Sequence, residues 1–262
     1  MRSTDRGRNV RDAAEEITYG GSSISPSQRE AVENCPLIAQ LPREARPAFI
    51  EAARVRRYAR HDAVVRYGEP VADVFCMLRG LVRLWLIDVD GNDYTVETGW
   101  PGSVSLVSLG AEGGEWPWNG TIMVPSTLLL ISCADLAVLR RRCAMDDALM
   151  TFVSADFRRR IVWHGLLRSV RLRPRLLLIL RRMGDELGRR TEKGTVLDFP
   201  VTQNDLAQLA SVTRDEVGRA MREFRDDGLI TPIGRRGLLI PDLDALGPPA
   251  ELPWAHEPAG AV

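Results

Sequence analysis

Apolar positions along this chain change their period twice before residue 200. Between Ala63 and Ile131 they alternate with polar ones or run in short blocks between glycines. Val74-Phe75-Cys76-Met77-Leu78 leads to Arg79-Gly80, then Val82, Leu84 and Leu86 alternate with Arg83, Trp85 and Ile87 up to Asp90-Gly91-Asn92, and Thr127 to Ile131 closes the series. A period of two belongs to half-buried strands, and Asp-Gly-Asn is a strong hairpin signal. The region therefore predicts an antiparallel sandwich or roll of about seven or eight strands, with turns at Arg79-Gly80 and Asp90-Gly91. From about Met145 to Val170 the period lengthens to that of a helix, with no proline and no glycine before Gly165. Two apolar stripes run along it, one through Leu149, Phe152, Trp163, Leu166 and Val170, the other through Met150, Val153, Phe157, Ile161, His164 and Leu167. One stripe can face the roll and the other a partner chain, with Asp156 and Arg159 interrupting the first and Arg160 the second; a single buried amphipathic helix is the plainer alternative. Pro174 then marks a hinge or the first turn of a further helix, Arg175 to Leu187.

The segment Thr202 to Ile240 repeats one helix-start signal at close range. Thr202 can cap a helix whose apolar face is Leu206, Ala207, Leu209 and Ala210, with Asp205 at its third position as a near capping box. Thr213 with Glu216 forms a full Thr-x-x-Glu box, after which Val217, Ala220, Met221 and Phe224 follow at helical spacing. Only Ser211 and Val212 separate the two helices, so they must pack steeply, as in a helix-turn-helix whose second helix enters the major groove. A short hairpin follows: Leu229, Ile230 and Ile233, then Gly234-Arg235-Arg236-Gly237, then Leu238, Leu239 and Ile240. It reads as a wing, with Pro232 suited to an edge strand and Arg235 and Arg236 placed to reach phosphates.

The second helix opens its exposed side with Arg214, Asp215, Gly218 and Arg219. A guanidinium fork matches guanine O6 and N7 and a carboxylate accepts from the cytosine amino group, so Arg214, Asp215 and Arg219 are candidate base readers. Gly218 would let a phosphate or base edge approach. Thr202, Gln203, Asn204 and Thr213, at the two helix starts, join Gly218, Arg235 and Arg236 as candidate backbone contacts. The bland alternative is a solvated face held by an Asp215–Arg219 pair. Charge distribution favours the first reading. The chain has 35 basic and 35 acidic residues, but residues 158–236 hold 18 basic against 10 acidic, a surplus of +8, while residues 1–157 hold 17 against 21 and the remainder only four acids. A basic segment coinciding with a helix-turn-helix is the electrostatic footprint of DNA binding. Lys193 is the only lysine, so arginine supplies it.

Composition narrows the remaining classes. No apolar run reaches the roughly 18 residues needed to span a bilayer, and Arg2, Arg6, Arg8 and Arg11 precede no apolar signal core, which predicts a cytoplasmic protein without a membrane partner. Cys35, Cys76, Cys133 and Cys143 show no C-x-x-C spacing, which argues against a metal site, a cluster or a disulfide framework and for buried free thiols. His61, His164 and His256 lie in different regions with no nucleophile elbow or phosphate loop beside them, so neither an enzyme nor a cofactor is indicated.

Roll, long helix and winged helix-turn-helix, in that order, resemble the family of the cyclic-AMP receptor protein and the fumarate-nitrate regulator. The resemblance covers roughly residues 29–246. It rests on Tyr67-Gly68-Glu69-Pro70-Val71-Ala72-Asp73, on Leu78-Arg79-Gly80-Leu81-Val82-Arg83-Leu84, on Asp90-Gly91, and above all on Thr213-Arg214-Asp215-Glu216-Val217-Gly218-Arg219. It implies an α+β fold: residues 1–28 a flexible extension, 29–143 an antiparallel β-roll of the cyclic-nucleotide-binding type, 144–171 a dimerisation helix, 172–246 a winged helix-turn-helix, and 247–262 a flexible tail. It also implies a homodimeric transcription regulator on a pseudo-palindromic double-stranded operator, with RNA polymerase and a small-molecule effector as further partners. Arg214, Asp215 and Arg219 fall on the family's base-reading positions, Asp215 replacing a usual glutamate, and Ser211 takes the turn position usually held by glycine.

The sensor end departs further. The family's cyclic-AMP binders carry a Gly-Glu pair and an Arg-Ser pair that hold the nucleotide, where this chain has Leu106-Val107 and Trp116-Pro117. Without that guanidinium the cyclic phosphate loses a bidentate bond, so tight binding of cyclic AMP is not expected. An iron-sulfur sensor needs an N-terminal cysteine cluster, and only Cys35 lies there. Haem ligation by Cys76 or His61 competes with a plain core role for the cysteine. Trp116, Pro117 and Trp118 either line an apolar effector pocket or cap the roll, and the effector site stays unidentified. Two other readings remain at this stage: a constitutive DNA binder with a silent roll, and a ligand-binding regulatory subunit acting on a protein partner.

Overall fold

The computed structural model describes residues 16–18, 32, 35–105, 114–234 and 237–247. The chain divides into two compact units, residues 1–153 and 154–262. Within the first lie strands β1 (Glu16–Thr18), β2 (Arg54–Tyr58), β3 (Ala63–Val65), β4 (Asp73–Ile87), β5 (Asp93–Gly99) and β6 (Asn119–Ser132), and helices α1 (Pro36–Gln40), α2 (Arg46–Ala52) and α3 (Cys133–Cys143). The strands form one sheet in the order β1-β2-β6-β4-β5, with β3 also on β6, and all pairings are antiparallel. Within the segment expected to be a flexible extension, Glu16–Thr18 pairs its backbone with Arg54–Arg56. The rest of the predicted extension before residue 29, and the tail after Gly247, lie outside the described residues.

The turn predicted at Arg79-Gly80 is not one. β4 runs straight through it for 15 residues against the 14 of β6, with its register slipping between Met77 and Val82. The slip is a bulge that glycine permits: Gly80 sits at φ +102°. The Ser126 hydroxyl of β6 fills the disturbed ladder, accepting from the Leu81 amide at 3.2 Å and donating to the Val124 carbonyl at 2.6 Å. Short predicted strands thus merge into long ones, and the described residues contain six strands in this sheet rather than seven or eight. The Asp90-Gly91 turn is as read. Ile87 pairs with Asp93, and the Asp88 carboxylate accepts from the Asp90 and Asn92 amides, each at 2.9 Å.

Two apolar clusters fill this unit. One joins Phe75, Met77, Leu84, Ile122 and Leu130 with Trp116, whose ring lies 5.8 Å from that of Phe75. The other joins Leu37, Phe49, Val55, Cys76 and Leu129 to Leu149 and Phe152 of the long helix α4 (Asp146–Ser169). That helix matches its predicted span, and its two stripes separate. Leu149, Phe152 and Trp163 are buried, whereas Met150, Phe157 and Ile161 are 62%, 55% and 54% exposed. Asp156 does not break the buried stripe by exposing a charge. It is itself buried and takes Arg159 at 3.1 Å and Arg160 at 2.8 Å. Nearby, the Arg182 guanidinium stacks 4.6 Å from the Trp163 ring, and burial draws its pKa down to about 10, so it stays charged at neutral pH. Burial, reinforced by Arg168, Arg182 and Arg160, lowers the pKa of His164 and keeps it neutral there.

A Cβ at Gly80 would collide with Ser126 in addition to adopting a positive φ. Gly80→Ala is therefore expected to destabilise the roll by about 2–4 kcal/mol. Urea unfolding followed through a roll tryptophan checks this, and an unchanged midpoint would contradict the bulge assignment.

Candidate nucleic-acid interface

The second unit is built on helix α5 (Leu172–Leu187), which begins three residues before the predicted Arg175. Pro174 lies in its first turn, where a missing N–H leaves no hydrogen bond unmade. A hairpin that the sequence reading omitted follows, β7 (Arg189–Thr191) and β8 (Gly194–Leu197), turned by Gly194 at φ +121°. Its signal was present in Lys193-Gly194 followed by Thr195, Val196 and Leu197. It completes a sheet in the order β7-β8-β10-β9, where β9 is Thr231–Ile233 and β10 is Gly237–Ile240. The wing is thus one half of a four-stranded sheet, and Pro232 occupies its edge strand as predicted. Arg235 and Arg236, assigned to the wing tip, lie outside the described residues.

Between the two hairpins run α6 (Gln203–Ala210) and α7 (Arg214–Asp226), each closed by a complete capping box. The Thr202 hydroxyl accepts from the Asp205 amide at 3.1 Å while the Asp205 carboxylate accepts from the Thr202 amide at 3.0 Å. Thr213 and Glu216 repeat the arrangement at 3.3 and 3.0 Å. Aspartate therefore makes a full box, where only a near one was predicted. Hydrogen bonds from Thr213 hold the Glu216 carboxyl below its usual range. Ser211 makes the turn in the left-handed region, φ 54° and ψ 52°. The Val212 amide then closes onto the Ala207 carbonyl at 3.0 Å.

Packing sorts the predicted contacts. Val217 and Phe224 are fully buried, with Leu206, Leu209 and Ala220 beside them. Gly218 is buried too, which corrects its placement on the exposed side. Its missing side chain makes room for Gln203, whose Oε1 would stand 3.3 Å from a Cβ there, so this glycine lets α6 and α7 approach rather than a phosphate. Arg214, Asp215 and Arg219 are exposed on α7, and among the described residues none of the three makes a hydrogen bond or ion pair. The Asp215–Arg219 pair offered by the spacing is not formed. Asn204 is exposed and Gln203 half-buried. The Thr202 and Thr213 hydroxyls direct their protons to Asp205 at 2.6 Å and Glu216 at 2.7 Å.

Two arginines that sequence reasoning left unassigned brace this pair of helices from the start of α5. Arg173 bonds Glu223 at 3.2 Å and Asp227 at 2.6 Å and lies 5.0 Å from the Phe224 ring centre, fixing the far end of α7. Arg175 donates to the Ala210 carbonyl at 3.0 Å, at the end of α6, and to the Val170 carbonyl at 3.1 Å, just past α4. Neither motif nor spacing marks them. Only the packed arrangement shows which carbonyls and carboxylates they meet.

A helix of this length, with three unpaired polar side chains at its exposed start and a winged sheet beside it, is shaped to enter a DNA groove. Residues 174–247 match the family of Crp-like helix-turn-helix domains. That segment is a Crp-like helix-turn-helix domain. It is 22% identical over 209 residues to the lactate racemization regulatory protein of Lactiplantibacillus plantarum, a match covering 76% of this chain and 93% of that protein. Among solved structures, a CRP-family transcriptional regulator from Thermus thermophilus superposes with a TM-score of 0.58 at 23% identity, covering 72% of this chain and 93% of the other. The c-di-GMP responsive regulator CLP of Xanthomonas campestris gives 0.59 at 20% identity, covering 76% and 99%. These likenesses establish a shared fold. The family match gives residues 174–247 a Crp-like, DNA-binding type of helix-turn-helix, and the chain carries it after an N-terminal antiparallel sheet. No helix among the described residues is long and apolar enough to cross a membrane.

Ser211 holds a backbone conformation that glycine adopts without cost. Ser211→Gly is expected to stabilise the second unit by up to about 1 kcal/mol without altering the recognition face. Thermal unfolding checks the sign, and a fall in stability would show that the exposed serine side chain has a supporting role.

Proposed function

We propose that this chain is a Crp/Fnr-family transcription regulator that acts as a homodimer and presents Arg214, Asp215 and Arg219 of each α7 to successive major grooves of a pseudo-palindromic operator. The observation that carries this reading is that these three side chains are exposed at the start of the recognition helix and, among the described residues, make no side-chain hydrogen bond or ion pair. A guanidinium with no partner within the fold keeps its full donor fork for a guanine edge. Asn204 and Gln203 at the start of α6, with Arg235 and Arg236 at the wing, supply the backbone contacts that set register. Thr202, Thr213 and Gly218 serve chiefly the fold, through caps and close packing.

Dimerisation is assigned to α4. Met150, Phe157 and Ile161 leave an apolar stripe in water on a helix whose opposite side is already buried, which is the pattern of a helix that packs against its copy. The roll is proposed not to hold cyclic AMP. At the position where the family's nucleotide binders carry a phosphate-holding arginine stands Trp116, buried against Phe75, with an indole instead of a guanidinium.

Binding to operator fragments tests the DNA reading. Arg219→Ala is expected to relax preference at one base pair per half-site, costing about 1–3 kcal/mol on the preferred sequence, whereas Arg235→Ala weakens all sequences alike and lowers the salt slope by about one. Added cyclic AMP leaves the affinity unchanged. Equal losses on operator and random DNA for Arg219→Ala would remove its base-reading role. Replacing Phe157 and Ile161 together by glutamate is expected to give monomers at micromolar concentration, measured by sedimentation, and to abolish tight operator binding. A double variant that remains dimeric would move the interface elsewhere.

A further inference from the structure

The fold brings together two thiols that lie 41 residues apart in sequence. Cys35, just before α1, and Cys76, on the inward side of β4, have their Sγ atoms 3.2 Å apart. Both are buried, and both belong to the cluster formed by Leu37, Phe49, Val55 and Leu129. The other two cysteines are not part of this contact. Cys133 directs its thiol to the Val71 carbonyl, and Cys143 closes α3. Two thiols placed at contact distance can do something that neither does alone, which is to lose two electrons together.

We propose that Cys35 and Cys76 form an oxidisable dithiol whose product is an intramolecular disulfide tying the segment before α1 to the roll. With hydrogen peroxide as oxidant the steps balance. The Cys35 thiolate attacks one peroxide oxygen, forming an S–O bond as the O–O bond breaks, and the departing hydroxide takes up the thiol proton as water. Cys76 then attacks the sulfenic sulfur, forming the S–S bond as the S–O bond breaks, and a second water leaves. Two thiols and one peroxide give one disulfide and two waters. Local contacts suit Cys35 to the attacking role: its hydrogen bond with Cys76, aided by the Ile38 and Leu37 amides, outweighs burial and brings its thiol below the ordinary range. Burial makes the first step slow and selective for a small oxidant, and makes the disulfide hard for bulky reductants to reach.

Resolution by Cys76 needs little movement, because the two sulfurs are already in contact. The bond would close a loop of about forty residues spanning α1, α2, β2 and β3, and so restrict the unfolded chain. The site is independent of the DNA-binding reading. Its test reads covalent chemistry in the roll and does not use an operator.

The test uses the full-length reduced protein, treated with a slight excess of hydrogen peroxide, alkylated under denaturing conditions and digested with trypsin. The expected result is loss of two of the four alkylatable thiols and a linked pair of the peptides 30–43 and 67–79, with a mass 2 Da below their sum and reversal by dithiothreitol. In Cys76→Ser the intermediate at Cys35 is expected to be trapped by dimedone, and the thermal midpoint of the wild type is expected to rise by several degrees on oxidation. Four thiols still alkylatable, a linkage through Cys133 or Cys143, or a bond between two chains would each overturn the proposal. Because the mapping is done on the wild-type chain, it stands even where a serine variant folds poorly.

Discussion

The DNA-reading unit depends on where one helix begins. An α-helix leaves its first four amides without partners, and α7 meets that constraint locally, with Thr213 and Glu216 closing its start three residues apart. Because α6 uses the same device at Thr202 and Asp205, and Ser211 at positive φ lies between the two, the crossing of the helices is set between Thr202 and Glu216. The rest of the unit follows from that geometry. Gly218 lies tight against the Gln203 side chain, Val217 and Phe224 turn inward, and Arg214, Asp215 and Arg219 are left in solvent by elimination. The exposed face is a by-product of the buried one.

What could be read from the sequence is what is encoded locally. Both capping boxes, the span of α4, the Asp90-Gly91 hairpin and the edge-strand proline are short-range patterns, and each appears where its residues predict it. The failures share a cause of the opposite kind. Arg79-Gly80 looks like a turn to its neighbours in sequence, but a partner strand of 14 residues and the Ser126 hydroxyl make it a bulge. Gly218 looks exposed by helical phase beside Arg214 and Arg219, but the facing helix covers it. The β7–β8 hairpin was passed over because three- and four-residue strands carry too little period to stand out. Cys35 and Cys76 look unrelated because their contact is made by the roll and not by a spacing.

Net charge needs the same correction. The surplus of +8 over residues 158–236 suggests a large supply of free cations, yet much of the arginine in that segment is committed to the fold. Arg159 and Arg160 neutralise the buried Asp156, Arg182 stacks on Trp163, and Arg181 gathers Asp185, Asp244 and the carbonyls of Leu243 and Gly247. Arg173 and Arg175 hold the ends of α7 and α6. Arginine suits both uses for one reason. Its planar fork satisfies several acceptors at once and keeps its charge when partly buried, which a lysine ammonium does less readily. A chain with a single lysine has built its braces and its reading head from the same side chain.

That economy separates two consequences of losing an arginine. At Arg214 or Arg219 the protein keeps its own side-chain hydrogen bonds, so under the proposed function the loss falls on the complex with DNA. At Arg173 or Arg175 the protein loses contacts that fix the recognition helix to α5, and the stranded carboxylates or carbonyls must find water. On the proposed reading, the second kind of change acts on every DNA sequence through the orientation of the helix, while the first acts on one base pair. Arg175 is the sharper case, because its two acceptors belong to the end of α6 and to Val170 beyond α4. A shift at that joint is felt directly by the carbonyl that ends the first helix of the reading unit, one residue before the strained turn at Ser211. The start of α5, the end of α6 and the residue after α4 are thus tied by a single guanidinium.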